Sequence, residues 1–272
     1  SILTLGKELW LIFQDRATAA GEVAIRIHFG MSGSLLIDGA RPRFGGKDLS
    51  LGIRYEHGGI LDIFGATVQL ESAVSQVRSK HERLRKQDVC ADDDTFHLEA
   101  CVTAFISKPA SLVSDVVLDQ GVLPGAGNII KNEALHRSRV MPLRRVDSLS
   151  ATEVRRVVTE VRDFSVQWMK KGRAPASIIY NKTSCGECGG NVNLQKVGEG
   201  SLPRATFWCK NCCAGGRHEV SVTTTNDNAR KRGSQRSEPQ PLSDTGNIPR
   251  SLGNLDGVVF YGGSSVEASR DC

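Results

Sequence analysis

The chain has 272 residues, 39% of them hydrophobic, and a formal net charge of +5. That is enough for one or two ordinary cores, and no apolar run reaches bilayer-spanning length, so a soluble protein without a membrane partner is expected. The opening Ser1-Ile2-Leu3-Thr4-Leu5 has no initiator Met, no basic n-region and no cleavage signature, and reads as an incomplete amino terminus rather than a signal peptide.

In chain order, residues 8–75 are β-rich. Short runs such as Leu9–Phe13, Val23–Phe29, Gly33–Ile37 and Gly59–Phe64 are separated by turn signals at Asp38-Gly39, Gly45-Gly46 and His57-Gly58-Gly59. This pattern predicts an antiparallel sandwich or barrel. From about Ser75 the period becomes helical. Val154, Val157, Val158, Val161 and Phe164 mark an amphipathic helix, and Ser150-Ala151-Thr152-Glu153 supplies a capping box at its start. Between Leu118 and Leu135 one helix ends near Gln120, a Pro124-Gly125 turn follows, and a second helix begins near Asn128. Such a start offers free backbone N–H groups to a phosphate; alternatively Asn128 only caps the helix. Residues 125–173 hold eleven basic and five acidic side chains, which suggests a polyanionic partner.

Cys185, Cys188, Cys209 and Cys212 form two C-x-x-C pairs twenty residues apart, the spacing of two knuckles that converge on one tetrahedral zinc ion. Arg204, five residues before Cys209, would then sit at a fixed place on a zinc-pinned hairpin, as phosphate recognition requires. A ribbon that merely staples a subdomain has the same spacing. The other cysteines, Cys90, Cys101, Cys213 and Cys272, show no disulfide framework, and a reducing intracellular compartment is expected. After Cys213 the composition turns to Gly, Ser, Asn, Thr and Pro, which predicts a disordered tail over 214–272. Within it Arg230-Lys231-Arg232 reads as a nuclear import signal or as plain solvation. The expected organisation is α+β: an antiparallel β-sandwich over 1–75, a helical domain over 76–182, a zinc-finger β-hairpin over 183–213, then the tail.

Gly6-Lys7-Glu8-Leu9, His28-Phe29-Gly30-Met31-Ser32-Gly33, the stretch from Asp119-Gln120 to Glu133, and the cysteine hairpin with Arg204-Ala205-Thr206 occur in this order. Together they resemble the formamidopyrimidine/endonuclease VIII (Fpg/Nei) DNA glycosylases, above all the vertebrate endonuclease VIII-like protein 3 branch, over roughly residues 5–213. The resemblance implies a helix–two-turn–helix domain, structural zinc, a monomer, a nuclear location, and excision of oxidised bases with β-elimination at the abasic site. In that family an N-terminal α-amine attacks the sugar and a neighbouring Glu moves protons; neither is expected within this chain, and Ser1 is not equated with that amine. Lys7 matches the active-site lysine, Met31 the residue that fills the void left by the flipped base, and Asn128 and Arg204 the phosphate clamps. Lys131, in the same basic motif, is grouped with the DNA-binding residues. The segment Asp62–Gln69 lacks the Arg-Phe wedge of many relatives, which shifts the expected partner from damaged duplex toward single-stranded or fork-like DNA. A non-catalytic damaged-DNA binding module and a zinc-ribbon RNA-binding protein are the competing readings.

Overall fold

The computed structural model describes residues 1–14, 21–30, 33–39, 48–198 and 203–213, together with the backbone of 258–261. Among the described residues seven strands precede the first helix: β1 (Ile2–Leu5), β2 (Glu8–Gln14), β3 (Glu22–His28), β4 (Ser34–Ile37), β5 (Leu49–Tyr55), β6 (Ile60–Phe64) and β7 (Thr67–Glu71). One antiparallel sheet runs β1-β2-β3-β7, and β5, β6 and β4 are neighbours in a second. Because side chains alternate along a strand, each sheet sends every second residue inward. Leu11, Ile25 and Ile27 of the first sheet pack against Leu51, Ile53 and Ile63 of the second. The opposite face of the first sheet presents Trp10, Ile12 and Ala24 to Val74, Val77 and Leu84 of α1 (Val74–Leu84).

That packing corrects one boundary. A division at 75/76 falls inside α1, which covers the sheet and belongs to the β layer, while the helical core starts at Val89. The period changes at Val74, but period alone does not say which core a helix covers. Four helices follow within the helical layer: α2 (Leu98–Ile106), α3 (Val113–Leu118), α4 (Asn128–Arg137) and α5 (Ala151–Lys171). Phe105, Val117, Leu123, Leu135, Val158 and Phe164 meet in their shared core. The capping box is present: Glu153 N–H donates to Ser150 Oγ at 3.2 Å and Ser150 N–H to Glu153 Oε2 at 2.8 Å. Gly172, at φ +62°, ends α5 in the left-handed conformation that glycine adopts without strain.

Beyond α5, β8 (Val192–Val197) and β9 (Arg204–Cys209) pair antiparallel, and a short α6 (Lys210–Cys213) carries the last cysteines. A further strand, β10 (Val258–Tyr261), adds to β5 along Gly52–Tyr55. The expectation of disorder throughout 214–272 therefore fails at this segment. Val258-Val259-Phe260-Tyr261 is a β-branched and aromatic run that the polar average of the tail conceals.

Candidate nucleic-acid interface

Leu5 pairs with Glu8, so Gly6 and Lys7 form a two-residue turn between β1 and β2. Gly6 has φ +57°, and a Cβ built on it would stand 2.3 Å from the Gly125 nitrogen, so only glycine lets the hairpin tip touch the turn before α4. Asp88 fixes this contact. Its carboxylate accepts the Gly6 N–H at 2.7 Å and the Cys90 N–H at 2.8 Å. Lys7 is thereby carried onto the turn, where Nζ donates to the Ala126 carbonyl at 2.8 Å. Gln120 Nε2 donates to the same carbonyl at 3.0 Å, and its Oε1 accepts the Gly125 N–H at 3.1 Å. Burial, followed by the Arg204 guanidinium, holds the Lys7 ammonium below its ordinary pKa and so favours the free amine.

Helix α4 starts from Gly127, whose backbone is extended and which gives no side-chain cap. The Lys131 N–H returns to the Gly127 carbonyl at 2.8 Å, so the N–H groups of the first turn point away from the helix, at its positive end. An anion placed there would meet those groups together with Lys7 and Arg204. Arg204 is the exposed first residue of β9, and its charge is felt by both Lys7 and Lys131. The Asn128 side chain plays a different part from the expected one in this arrangement. Its Nδ2 donates to the Ala205 carbonyl at 3.0 Å, tying α4 to the hairpin, while Oδ1 is buried without a partner.

Lys131 is corrected outright as a DNA contact. It is 0% exposed, with Nζ donating to Thr206 Oγ1 at 2.8 Å, because it lies on the side of α4 that faces β9. Asn132, one residue on, accepts the Phe207 N–H at 2.7 Å. Burial pushes the Lys131 pKa down to about 8. Since the unfolded chain keeps that proton up to about 10.4, the folded state binds fewer protons between the two values and this site adds stability as pH rises. Urea melts should therefore show the wild type gaining on the order of 2 kcal/mol over Lys131→Met between pH 7 and 9.5. A constant difference would show that Lys131 titrates normally.

The count of basic residues also reads differently in three dimensions. Arg139, Arg144, Arg155 and Arg162 form ion pairs with Glu187, Glu153, Glu99 and Asp93, so much of the positive excess is used internally. Met31 lies outside the described residues. Strands β6 and β7 are joined by Gly65 and Ala66 alone, whose N–H groups bond Asp48 O at 3.2 Å and Ser50 Oγ at 3.0 Å. No loop projects from this link.

The four cysteine sulfurs lie within 4.8 Å of one another, with Cys185–Cys212 at 3.8 Å and Cys188–Cys209 at 3.5 Å. Four thiolates about 2.3 Å from a tetrahedral zinc stand about 3.8 Å apart, so the cluster fits a closed metal site. The Gly190 N–H helps hold Cys188 down to about 7, toward the thiolate that a metal requires, whereas desolvation pushes Cys209 and Cys212 up.

Comparison with known proteins accounts for this architecture. Residues 91–174 match the Formamidopyrimidine-DNA glycosylase H2TH domain. Mouse endonuclease 8-like 3 is 32% identical over 218 residues, which make up 77% of this chain and 33% of the relative. The chain belongs to the Fpg/Nei family. It spans about a third of the length of the endonuclease 8-like 3 proteins it matches. A crystal structure of a viral DNA glycosylase superposes with a TM-score of 0.65 at 20% identity, covering 78% of this chain and 84% of that one. MutM in complex with carbocyclic 8-oxo-G containing DNA superposes at 0.60 and 18%, covering 78% and 80%.

Within this Fpg/Nei fold Glu133, for which no sequence motif carries a role, ties α4 to residues 178–180. Its carboxylate is 0% exposed and accepts the N–H groups of Ile178, Ile179 and Tyr180 at 2.9, 3.1 and 2.8 Å. The available signal was weak: Glu133 follows the polar Lys131 and Asn132, and only the flanking Ile129-Ile130 and Ala134-Leu135 suggest burial, where a charge demands partners.

Proposed function

We propose that the chain is the DNA-gripping body of a bifunctional DNA glycosylase and abasic-site lyase that acts on oxidised bases in base excision repair. The supporting observation is that Lys7, the open start of α4 and Arg204 meet at one place. There the α4 N–H groups and Arg204 hold the backbone phosphates, and Lys7 reaches the sugar. At an aldehydic abasic site the Lys7 amine adds to C1′ and water leaves, giving a Schiff base. Loss of a C2′ proton then expels the 3′-phosphate. Cys185, Cys188, Cys209 and Cys212 hold one zinc, which in a closed four-sulfur site supplies folding free energy and leaves no position for a water nucleophile.

Excision of an intact base calls for a second amine in the family mechanism. The Ser1 amine does not take that place: it donates to the Ile12 carbonyl at 2.7 Å, at the end of β1 remote from Lys7. A second reading, that residues 1–272 act as a non-catalytic damaged-DNA binding module, would show as binding to an abasic site without a trapped adduct. The short β6–β7 link supports single-stranded or fork-like DNA as substrate. We assign the protein to the nucleus as a monomer; Arg230-Lys231-Arg232 lies outside the described residues.

Arg204→Ala tests the grip. It should weaken binding to damaged and undamaged DNA alike and reduce the magnitude of the salt slope by about one. An altered lesion preference with affinity and slope intact would mean that Arg204 reads bases.

A further inference from the structure

At the far end of α4 from the DNA site stands a group of side chains that this function does not use. Glu187 lies between Cys185 and Cys188, inside the first knuckle. Its carboxylate accepts two bonds from Arg139, one of them from Nη1 to Oε2 at 2.8 Å. The same Oε2 is 3.0 Å from Nε2 of His136, which is 1% exposed. That Nε2 also stands 3.8 Å from the Cys185 sulfur, and Cys212 lies near enough to interact with the Arg139 charge.

Arg139 occupies this position against its backbone preference. It lies just past the end of α4 at φ +59°, in the left-handed region where helices usually place glycine. Holding an arginine there costs about 1 kcal/mol relative to glycine. The contact with Glu187 gives a reason for the choice. Four thiolates around a divalent metal keep a net negative charge, and a guanidinium and an imidazole N–H at the edge of the cluster offset it.

We propose that His136 and Arg139 form a latch on Glu187 which fixes the first zinc knuckle from outside and sets how slowly the metal leaves. In this proposal both act as positioning residues outside the four sulfurs, although His136 Nε2, a Glu187 oxygen and the Cys212 sulfur lie within 4.8 Å of one another. The latch rests on the zinc reading of the four cysteines.

The test is zinc release from the full 272-residue chain to a chromophoric chelator, with zinc content and melting temperature measured alongside. Arg139→Gly is the informative variant, since it relieves the backbone. If Arg139 were only structural, Arg139→Gly would be as stable as the wild type or more so and would release zinc at the wild-type rate. The latch predicts release faster by about tenfold or more in Arg139→Gly and in Glu187→Gln, with a smaller increase in His136→Phe, which keeps the buried ring. The reversed pair Arg139→Glu with Glu187→Arg should recover slow release relative to either single change. Release within about twofold of wild type in both Arg139→Gly and Glu187→Gln, or a reversed pair as fast as its faster single, overturns the latch. Wild-type protein that carries no zinc overturns the zinc reading and the latch with it.

Discussion

Glu133→Ala is expected to cost about 4 kcal/mol of folding stability, because it leaves three backbone N–H groups of Ile178, Ile179 and Tyr180 without their acceptor. Each unsatisfied donor costs about 1–3 kcal/mol, less where water can enter. Glu133→Gln keeps one oxygen but turns an NH2 group toward a donor, so about half that loss is expected. The segment 178–180 leads directly into the first knuckle, and Ile179 packs with Cys185, Phe207 and Cys209. Releasing it should also loosen the hairpin that carries Arg204 and weaken DNA binding. Denaturant melts of the three proteins check the order wild type, Gln, Ala. A loss under about 1 kcal/mol for Glu133→Ala would mean that the segment finds other acceptors.

The residues whose job is local were legible in the sequence. The capping box of α5 follows from Ser150 and Glu153 because both partners lie within one turn. The cysteine cluster follows from spacing, because each C-x-x-C pair closes its own knuckle. The contact between Gly6 and Gly125 joins positions 119 residues apart, and nothing local to either glycine points to it; the resemblance carried by Gly-Lys-Glu-Leu bears on Lys7 alone. The side chains of α4 were harder to read. Asn128, Lys131, Asn132, Glu133 and His136 are polar and look like an exposed face, yet the helix is surrounded by β9, the 178–180 segment and the knuckle. Ile130, Ala134 and Leu135 enter the helical core while the polar side chains meet these partners, so α4 is buried on nearly every side and has no solvent-facing stripe to reveal its orientation. For the same reason Lys131 reads as a DNA contact in one dimension and as an internal tie in three. In the tail, four β-forming residues were outvoted by the polar composition around them.

Lys7 carries the second large effect and the central claim. Its amine is held on the Ala126 carbonyl at 2.8 Å and kept below the ordinary lysine pKa by burial and by Arg204, so more of it is free base near neutrality. The decisive measurement is borohydride trapping of the 272-residue chain on an oligonucleotide with an aldehydic abasic site, wild type beside Lys7→Ala. Binding to a reduced abasic analogue that cannot form a Schiff base serves as the control. A covalent adduct is expected with the wild type and at least about a tenfold loss of it in Lys7→Ala, with a much smaller change in affinity for the analogue. An adduct of equal yield in Lys7→Ala would place the reacting amine elsewhere and contradict the site described here.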